Sequence, residues 1–241
     1  LNQQALSAAT EAERGVLAAL AALGGTAVRA EILAGLTGLA EIHRVLAPLQ
    51  ERCLIEERDT GYGLTSELDA LLPQAGNLAE WRKHALNWFS DWAAARQDEP
   101  RLIAAVAPAM LYLLQWASRR QLHAEVIRLG QYLDAPLTLT GQWEQWKQVI
   151  ELVQTSARAR NDRVNTAWAL HQLGTRALCQ NAAAEAQRLL QAALAERLSL
   201  NDEMAVRATQ HNLSKPLALP QLTQPKPVSE NKKTSAWRRI L

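Results

Sequence analysis

The residues that most often carry out chemistry are scattered along this chain of 241 residues. No pair of histidines has the His-Glu-x-x-His spacing that places two zinc ligands on one helix face, and no Gly-x-Ser-x-Gly sequence could expose a serine nucleophile. The neighbouring acids Glu56 and Glu57 fall in a predicted strand, where successive side chains point to opposite faces. We therefore expect a protein that is not an enzyme and that needs no cofactor or metal.

Two cysteines, Cys53 and Cys179, are each isolated from other cysteines and histidines in the sequence. Disulfide frameworks and zinc sites need such residues at close, regular spacing. The sequence therefore predicts neither feature. A reducing, cytoplasmic compartment is the location that fits best.

Histidine and tryptophan supply a candidate binding groove. When the sequence is aligned with itself so that Asn161 falls on Asn201, His171 falls on His211. Trp143 and Trp146 lie close together on one predicted helix. These histidines and tryptophans predict an aromatic groove for a peptide. The alternative is that the histidines are satisfied by packing or water and that the tryptophans belong to the core, because each ring buries ~150–250 Å².

Residues 1–75 predict a small domain. A helix over residues 10–23 opens with Thr10 and Glu13 at the spacing of a capping box. A short second helix containing Val28, Ile32 and Leu33 and a third from about Glu41 follow. Extended runs flank the turn at Asp59-Thr60-Gly61 and predict a β-hairpin. Three helices and a hairpin form the winged-helix arrangement.

The next stretch, residues 76–213, predicts a helical array. The same self-alignment places Asn161-Asp162 on Asn201-Asp202 and Leu173 on Leu213, so the segment contains a repeat. Short connections such as 97–100 and 136–141 imply antiparallel neighbours. The expected fold class is mainly α, with a winged helix followed by an α-α superhelix. The candidate helices are 78–96, 99–118, 120–134, 142–160, 163–179, 182–199 and 202–213.

A winged helix raises the alternative of DNA binding, with the helix from Glu41 to Arg52 in the major groove. Residues 1–72 contain ten acidic and five basic residues, which gives a net charge of −5. DNA-binding surfaces normally cluster basic residues against the phosphates. DNA is therefore the less favoured partner, although a transcription regulator with the same two modules remains the second interpretation.

The last segment, 214–241, contains four prolines and a net charge of +5 and predicts an extended linker. Lys232, Lys233, Arg238 and Arg239 surround Trp237 just before the apolar end of the sequence. Such a pattern is typical of the cytoplasmic flank of a membrane helix, which would begin near Ile240 in a longer protein. A solvated linker end is the equal alternative. Because the sequence begins at Leu1 rather than methionine, we expect it to be a piece of a longer chain.

The repeat segment resembles a known class of proteins. In residues 169–194, Leu173-Gly174, Ala186 and Ala193 match the tetratricopeptide pattern, while Leu170 and Ala177 replace its usual aromatic residues. Over roughly residues 10–213 the chain resembles the C-terminal arm of a STAND or NB-ARC-like signalling ATPase. In that class a nucleotide-binding domain is followed by a winged helix and helical repeats.

The resemblance implies a regulatory fragment of a bacterial signal-transduction ATPase. Its expected partners are a protein or peptide on the repeats and the nucleotide-binding domain of the same full-length protein. No glycine is followed by lysine, so the Walker P-loop is absent. Residues 64–66 read Leu-Thr-Ser where the class carries a Met-His-Asp-like nucleotide sensor. A chain of this class that lacks both motifs is expected to have a non-catalytic role.

Overall fold

The computed structural model of the chain describes residues 8–66 and 77–215. These two stretches form eleven helices and one antiparallel hairpin, which confirms the mainly helical class. The first five elements are α1 (Glu11–Ala22), α2 (Ala30–Thr37), α3 (Ile42–Glu51), β1 (Ile55–Arg58) and β2 (Gly61–Leu64). The other helices are α4 (Leu78–Ala94), α5 (Pro100–Ala105), α6 (Ala107–Arg119), α7 (His123–Leu139), α8 (Trp143–Ala159), α9 (Arg163–Cys179), α10 (Ala183–Ser199) and α11 (Glu203–Leu213).

The predicted capping box at the start of α1 is confirmed. The Thr10 backbone N–H donates to Glu13 Oε2 at 2.7 Å, and the Glu13 N–H donates to Thr10 Oγ1 at 3.3 Å. Arg52, directly after α3, also donates to Glu13, whose side chain is buried. A single carboxylate therefore satisfies the first turn of α1 and ties it to the end of α3.

The predicted hairpin is also confirmed. Its strands pair from Ile55 with Leu64 to Arg58 with Gly61, leaving a two-residue turn. Val28 forms an isolated antiparallel bridge with Tyr62, with N···O distances of 3.0 and 2.8 Å. The prediction that Val28 belongs to the second helix is therefore wrong. Its backbone groups extend the hairpin instead, and α2 begins two residues later.

Prolines explain two differences between the predicted and observed helices. The predicted helix 99–118 is divided at Val106, because Pro108 opens α6 and its ring would clash with the carbonyl of Ala104 in a continuous helix. The predicted link at 136–141 is largely helical, since α7 continues through Pro136 to Leu139. Pro136 and Leu137 are buried there, and that packing offsets the lost backbone hydrogen bond.

The helices in the second half of the array begin at a constant spacing along the sequence. Helices α7 to α11 begin at positions 123, 143, 163, 183 and 203, and α7 to α10 are equal in length. Consecutive helices pack against each other throughout this stretch. The repeat seen in the sequence therefore corresponds to two helices, and the structural period is half as long.

The five links between α6 and α11 share one geometry. Each contains a residue in the left-handed conformation with φ between 54° and 70°: Gln121, Gly141, Asn161, Asn181 or Asn201. The next N–H always donates to a carbonyl five positions back, as from Asp162 to Ala157 at 2.8 Å. This is the Schellman motif, and in the link after α8 Asp162 also caps the next helix. Each link is therefore short and closed by backbone hydrogen bonds.

One continuous hydrophobic cluster runs from Val16 in α1 to Ala169 in α9. The predicted boundary between 75 and 76 lies outside the described residues, but the buried residues on its two sides pack together. Among the described residues, no single helix has the length and apolar composition to cross a membrane. Within residues 8–66 and 77–215, only α2 and α3 taken together meet both criteria, and the two helices are bent by 112° relative to each other.

Candidate binding surfaces of the helical array

Polar side chains connect alternate helices of the array. Asp134 on α7 accepts a hydrogen bond from Trp146 Nε1 at 2.7 Å and from Gln172 Nε2 at 2.6 Å. Burial raises the pKa of the Asp134 carboxyl, and the hydrogen bond from Trp146 opposes that shift. Gln131 on the same helix donates to Asn165 on α9 at 2.6 Å. These bonds fix α7 against α9.

The same kind of connection joins α9 to α11. His171 lies with Nδ1 3.3 Å from Thr209 Oγ1 and Nε2 3.5 Å from Asn212 Nδ2. Asn212 also donates to Thr175 Oγ1 at 2.8 Å. Burial lowers the pKa of His171 to about 4, and the nearby charge of Arg197 acts in the same direction. His171 is therefore a neutral imidazole at physiological pH.

Arg197 marks a change in the last layer of the array. The corresponding position in the four preceding links is apolar and buried, as at Ala157 and Ala177. Arg197 is only 7% exposed, and its Nη1 donates to the Ala205 carbonyl at 2.9 Å and to Thr209 Oγ1 at 2.5 Å. Burial lowers its pKa, with the charge of Asp202 opposing. The link between α10 and α11 is therefore closed on a buried cation, where the four earlier links are closed on a buried apolar side chain.

We call the surface formed by α7, α9 and α11 along these hydrogen bonds the ladder face. Its bonded residues are Gln131, Asp134, Asn165, His171, Gln172, Thr175, Thr209 and Asn212. Exposed positions such as Ala135 and His211 lie next to them on the same helices. The ladder face therefore presents side chains from three helices that are held in fixed register.

The four residues of the predicted groove have different surroundings. Trp146 is 1% exposed and its indole N–H is used by Asp134, so it belongs to the core in this conformation. Trp143 is half-buried, packs against the core and lies 5.8 Å from Trp146 between ring centroids. His171 is half-buried in the ladder face, whereas His211 is exposed. The four do not share one aromatic surface, although both histidines lie on the ladder side.

The tryptophans of α4 cover the N-terminal helices. Trp81 lies over Gly15 and Trp88 over Gly35, and Trp88 stacks on Trp92 with 5.9 Å between ring centroids. A pocket of about 470 Å³ opens beside Trp88 and Trp92. These rings therefore pack the array onto the N-terminal unit.

The exposed side of α3 bears on the DNA alternative. Arg44 is exposed but forms an ion pair with Glu41 at 2.5 Å, and Arg52 turns back to Glu13. His43 is exposed beside them. Both arginines of this region are therefore already paired with carboxylates, and few positive charges are presented to an approaching phosphate backbone.

The described residues contain no group of three or more histidine, cysteine, aspartate or glutamate side chains that could hold a metal ion. Cys53 and Cys179 are both free and exposed. The predicted basic tail lies outside the described residues, and its two interpretations stay predictions. Its basic residues are Lys232, Lys233, Arg238 and Arg239.

Comparison with known proteins yields no relative: no protein-family model, no curated protein and no solved structure matches the chain.

Proposed function

We propose that the chain is a non-catalytic regulatory unit that recognises a protein or peptide through its helical array. The constant sequence spacing of helices α7 to α11 is the observation that carries this proposal. Helices that begin at equal intervals and are joined by equal links present equivalent positions at regular spacing along one surface. Such a surface is suited to binding an extended protein or peptide, whereas catalysis needs a compact active site.

Tetratricopeptide-like packing supports the finer assignment of the array. Gly174 allows α9 to approach Leu190 on α10 closely, and Ala186 and Ala193 are fully buried. The small residues that match the tetratricopeptide pattern thus occupy positions where helices meet. The substituted Ala177 is also buried, so a small side chain fills the place of the usual aromatic residue.

A winged-helix assignment of residues 1–75 is supported by α1 to β2. Three helices precede the hairpin, and the Val28–Tyr62 bridge adds a short extended segment to it. Because α1 and α2 pack against α4, we infer that this unit orients the array. In a full-length STAND-type ATPase, its remaining surface would contact the nucleotide-binding domain.

The ladder face provides a direct test of the proposal. The full chain is immobilised and incubated with lysate of the source organism, together with the double variant Ala135→Arg/His211→Glu. Both substituted positions are exposed, so the variant should fold normally by circular dichroism. We expect partners bound by the wild type to be lost from the variant, because a bulky cation and a new acid interrupt the surface.

A matched control places arginine at Ala184, an exposed position on α10. This Ala184→Arg chain should retain the same partners. Equal recovery by the wild type and the ladder-face variant would contradict recognition through this face.

DNA binding is the alternative, and α3 would be its recognition helix. The pairing of Arg44 and Arg52 with glutamates disfavours it. An electrophoretic mobility assay at low salt separates the two proposals. Tight binding to duplex DNA that weakens steeply with salt would favour the transcription-regulator interpretation.

A further inference from the structure

A second surface of the array lies away from the ladder face, in a groove between α8 and α10 with α9 as its floor. The floor contains Leu170, which is 7% exposed, and the half-buried Leu173, and Leu189 of α10 packs beside them at 6% exposure. The walls carry the basic side chains Lys147, Arg158 and Arg188, and a fourth basic side chain, Arg176, lies on α9. We call this surface the basic groove.

The lining of the basic groove has an excess of positive charge. Its four basic residues face only two acidic ones, Glu151 and Glu185. Lys147 pairs with Glu151 at 3.8 Å, and Arg176 pairs with Glu144 at 3.3 Å. Neither remaining arginine, Arg158 or Arg188, forms an ion pair with a carboxylate of the described residues.

The fixed position of Arg176 gives the groove a rigid centre. Its Nε donates to the backbone carbonyl of Trp143 at 2.9 Å, and its side chain is 13% exposed. Arg158 and Arg188 are exposed on the two opposite walls. The groove therefore combines an apolar floor, one ordered cation and two solvent-exposed cations at its rim.

The size of the groove indicates the kind of occupant. Its volume is about 250 Å³, which is below the ~300–1,000 Å³ of typical small-molecule sites. That space admits one or two side chains of a peptide. An apolar side chain would contact the leucines, while neighbouring carboxylates would meet the arginines.

We propose that the basic groove binds an acidic peptide segment of a partner protein, with an apolar side chain on the leucine floor. This inference rests on the proposed function and names the partner chemistry for a different face of the array. The chain's own tail is a poor occupant, because residues 214–241 carry a net charge of +5.

Fluorescence anisotropy with the full chain tests the groove. The probe is a short fluorescein-labelled peptide in which glutamate and leucine alternate. We expect saturable binding that weakens as salt is raised. The double variant Arg158→Glu/Arg188→Glu should weaken binding about tenfold, because two favourable charge contacts become repulsive.

The control variant is Arg101→Glu/Arg119→Glu, which changes the net charge by the same amount at exposed arginines outside the groove. It should bind within about twofold of the wild type. A second probe with serine in place of every leucine should bind at least about fivefold more weakly. Equal weakening by both double variants would overturn the proposal, as would equal binding of both probes.

The failure of this inference is distinguishable from failure of the proposed function. If the peptide does not bind while lysate partners still depend on Ala135 and His211, the groove proposal is wrong and recognition by the ladder face stands. Self-association of the chain on titration, reversed by Arg158→Glu/Arg188→Glu, would also overturn the proposal. In that case the occupant would be a second copy.

Discussion

His171 and His211 occupy equivalent positions in successive repeats, yet their surroundings differ. His171 is enclosed between α9 and α11 beside Thr209 and Arg197, while no described helix follows α11 to cover His211. The same residue type at the same position in the repeat is therefore enclosed where a helix follows it and exposed at the end of the described array.

The titration of His171 predicts a pH-dependent stability. Its pKa is about 4 in the folded protein and 6.5 in an unfolded chain, so the unfolded chain binds more protons between these limits. Stability from this group is present above pH 6.5 and is lost as the pH falls toward 4. We expect urea denaturation to show a loss of ~1–2 kcal/mol across this window for the half-buried ring.

The variant His171→Asn should not show this loss, because asparagine does not titrate there. The difference in the free energy of unfolding between the wild type and His171→Asn should therefore change between pH 6.5 and about 4. A difference that is independent of pH in this range would contradict the burial of His171.

The surroundings of His171 could not be predicted from the sequence. The sequence does place His171 and His211 in register, and this register agrees with the helix positions. The contacts of His171 come from Thr209 and Asn212, which lie 38 and 41 positions further along the chain. Local spacing carries no information on such contacts, and the polar character of Thr209 and Arg197 departs from the apolar pattern of the earlier repeats.

At the scale of elements, the links could be predicted in part. Gly141, Asn161 and Asn181 are residue types that tolerate the left-handed conformation, and they recur at even spacing along the chain. Gln121 gives no such signal, because glutamine rarely adopts positive φ. The sequence therefore does not mark the start of α7 at His123, and the predicted start at residue 120 is too early.

Gln121 offers a test of the link geometry. Replacing it with glycine removes the strain of a side chain at φ 59°. We expect Gln121→Gly to raise the free energy of unfolding by ~0.5–1 kcal/mol. The control is Gln180→Gly in a later link, where φ is −97° and glycine should lower stability slightly. If urea denaturation shows no increase in the free energy of unfolding for Gln121→Gly, residue 121 is not strained in the left-handed conformation.

Close helix approach gives a second test at this scale. A Cβ at Gly174 would lie 2.7 Å from Leu190 Cγ and 3.2 Å from the Leu190 backbone nitrogen. Gly174→Ala should therefore lower stability by ~1–2 kcal/mol despite its better helix propensity. A Cβ at Gly15 in α1 would have its nearest neighbour at 4.0 Å. Gly15→Ala should instead raise thermal stability, and a shared sign for the two variants would be inconsistent with the packing described.

Across the whole molecule, the N-terminal unit and the first part of the array share one hydrophobic cluster. The sequence predicts two modules, residues 1–75 and 76–213, because all eight tryptophans lie at position 81 or later. The packing of Trp81 and Trp88 onto Gly15 and Gly35 joins them. A change of composition identifies where the kind of element changes, but it cannot show whether two units bury surface against each other.

Hydrogen exchange measures this coupling. Trp88→Ala removes an aromatic ring at the junction and should cost ~2–4 kcal/mol. We expect protection to fall together in residues 16–64 and in α4 to α7. Retained protection of residues 16–64 would contradict a shared core. In the wild type, α11 should exchange first, since Thr209 is its one buried residue among those described.

The equal links have a consequence for how this chain can change length. Short links make neighbouring helices run in opposite directions, so the loss of a single helix with its link would reverse every helix after it. In the helices that follow the deletion, the ladder face and the basic groove would then exchange sides. Loss or duplication of two consecutive helices leaves both surfaces in place. The pair of helices is therefore the smallest unit by which insertion or deletion can lengthen or shorten the array without disrupting its binding surfaces.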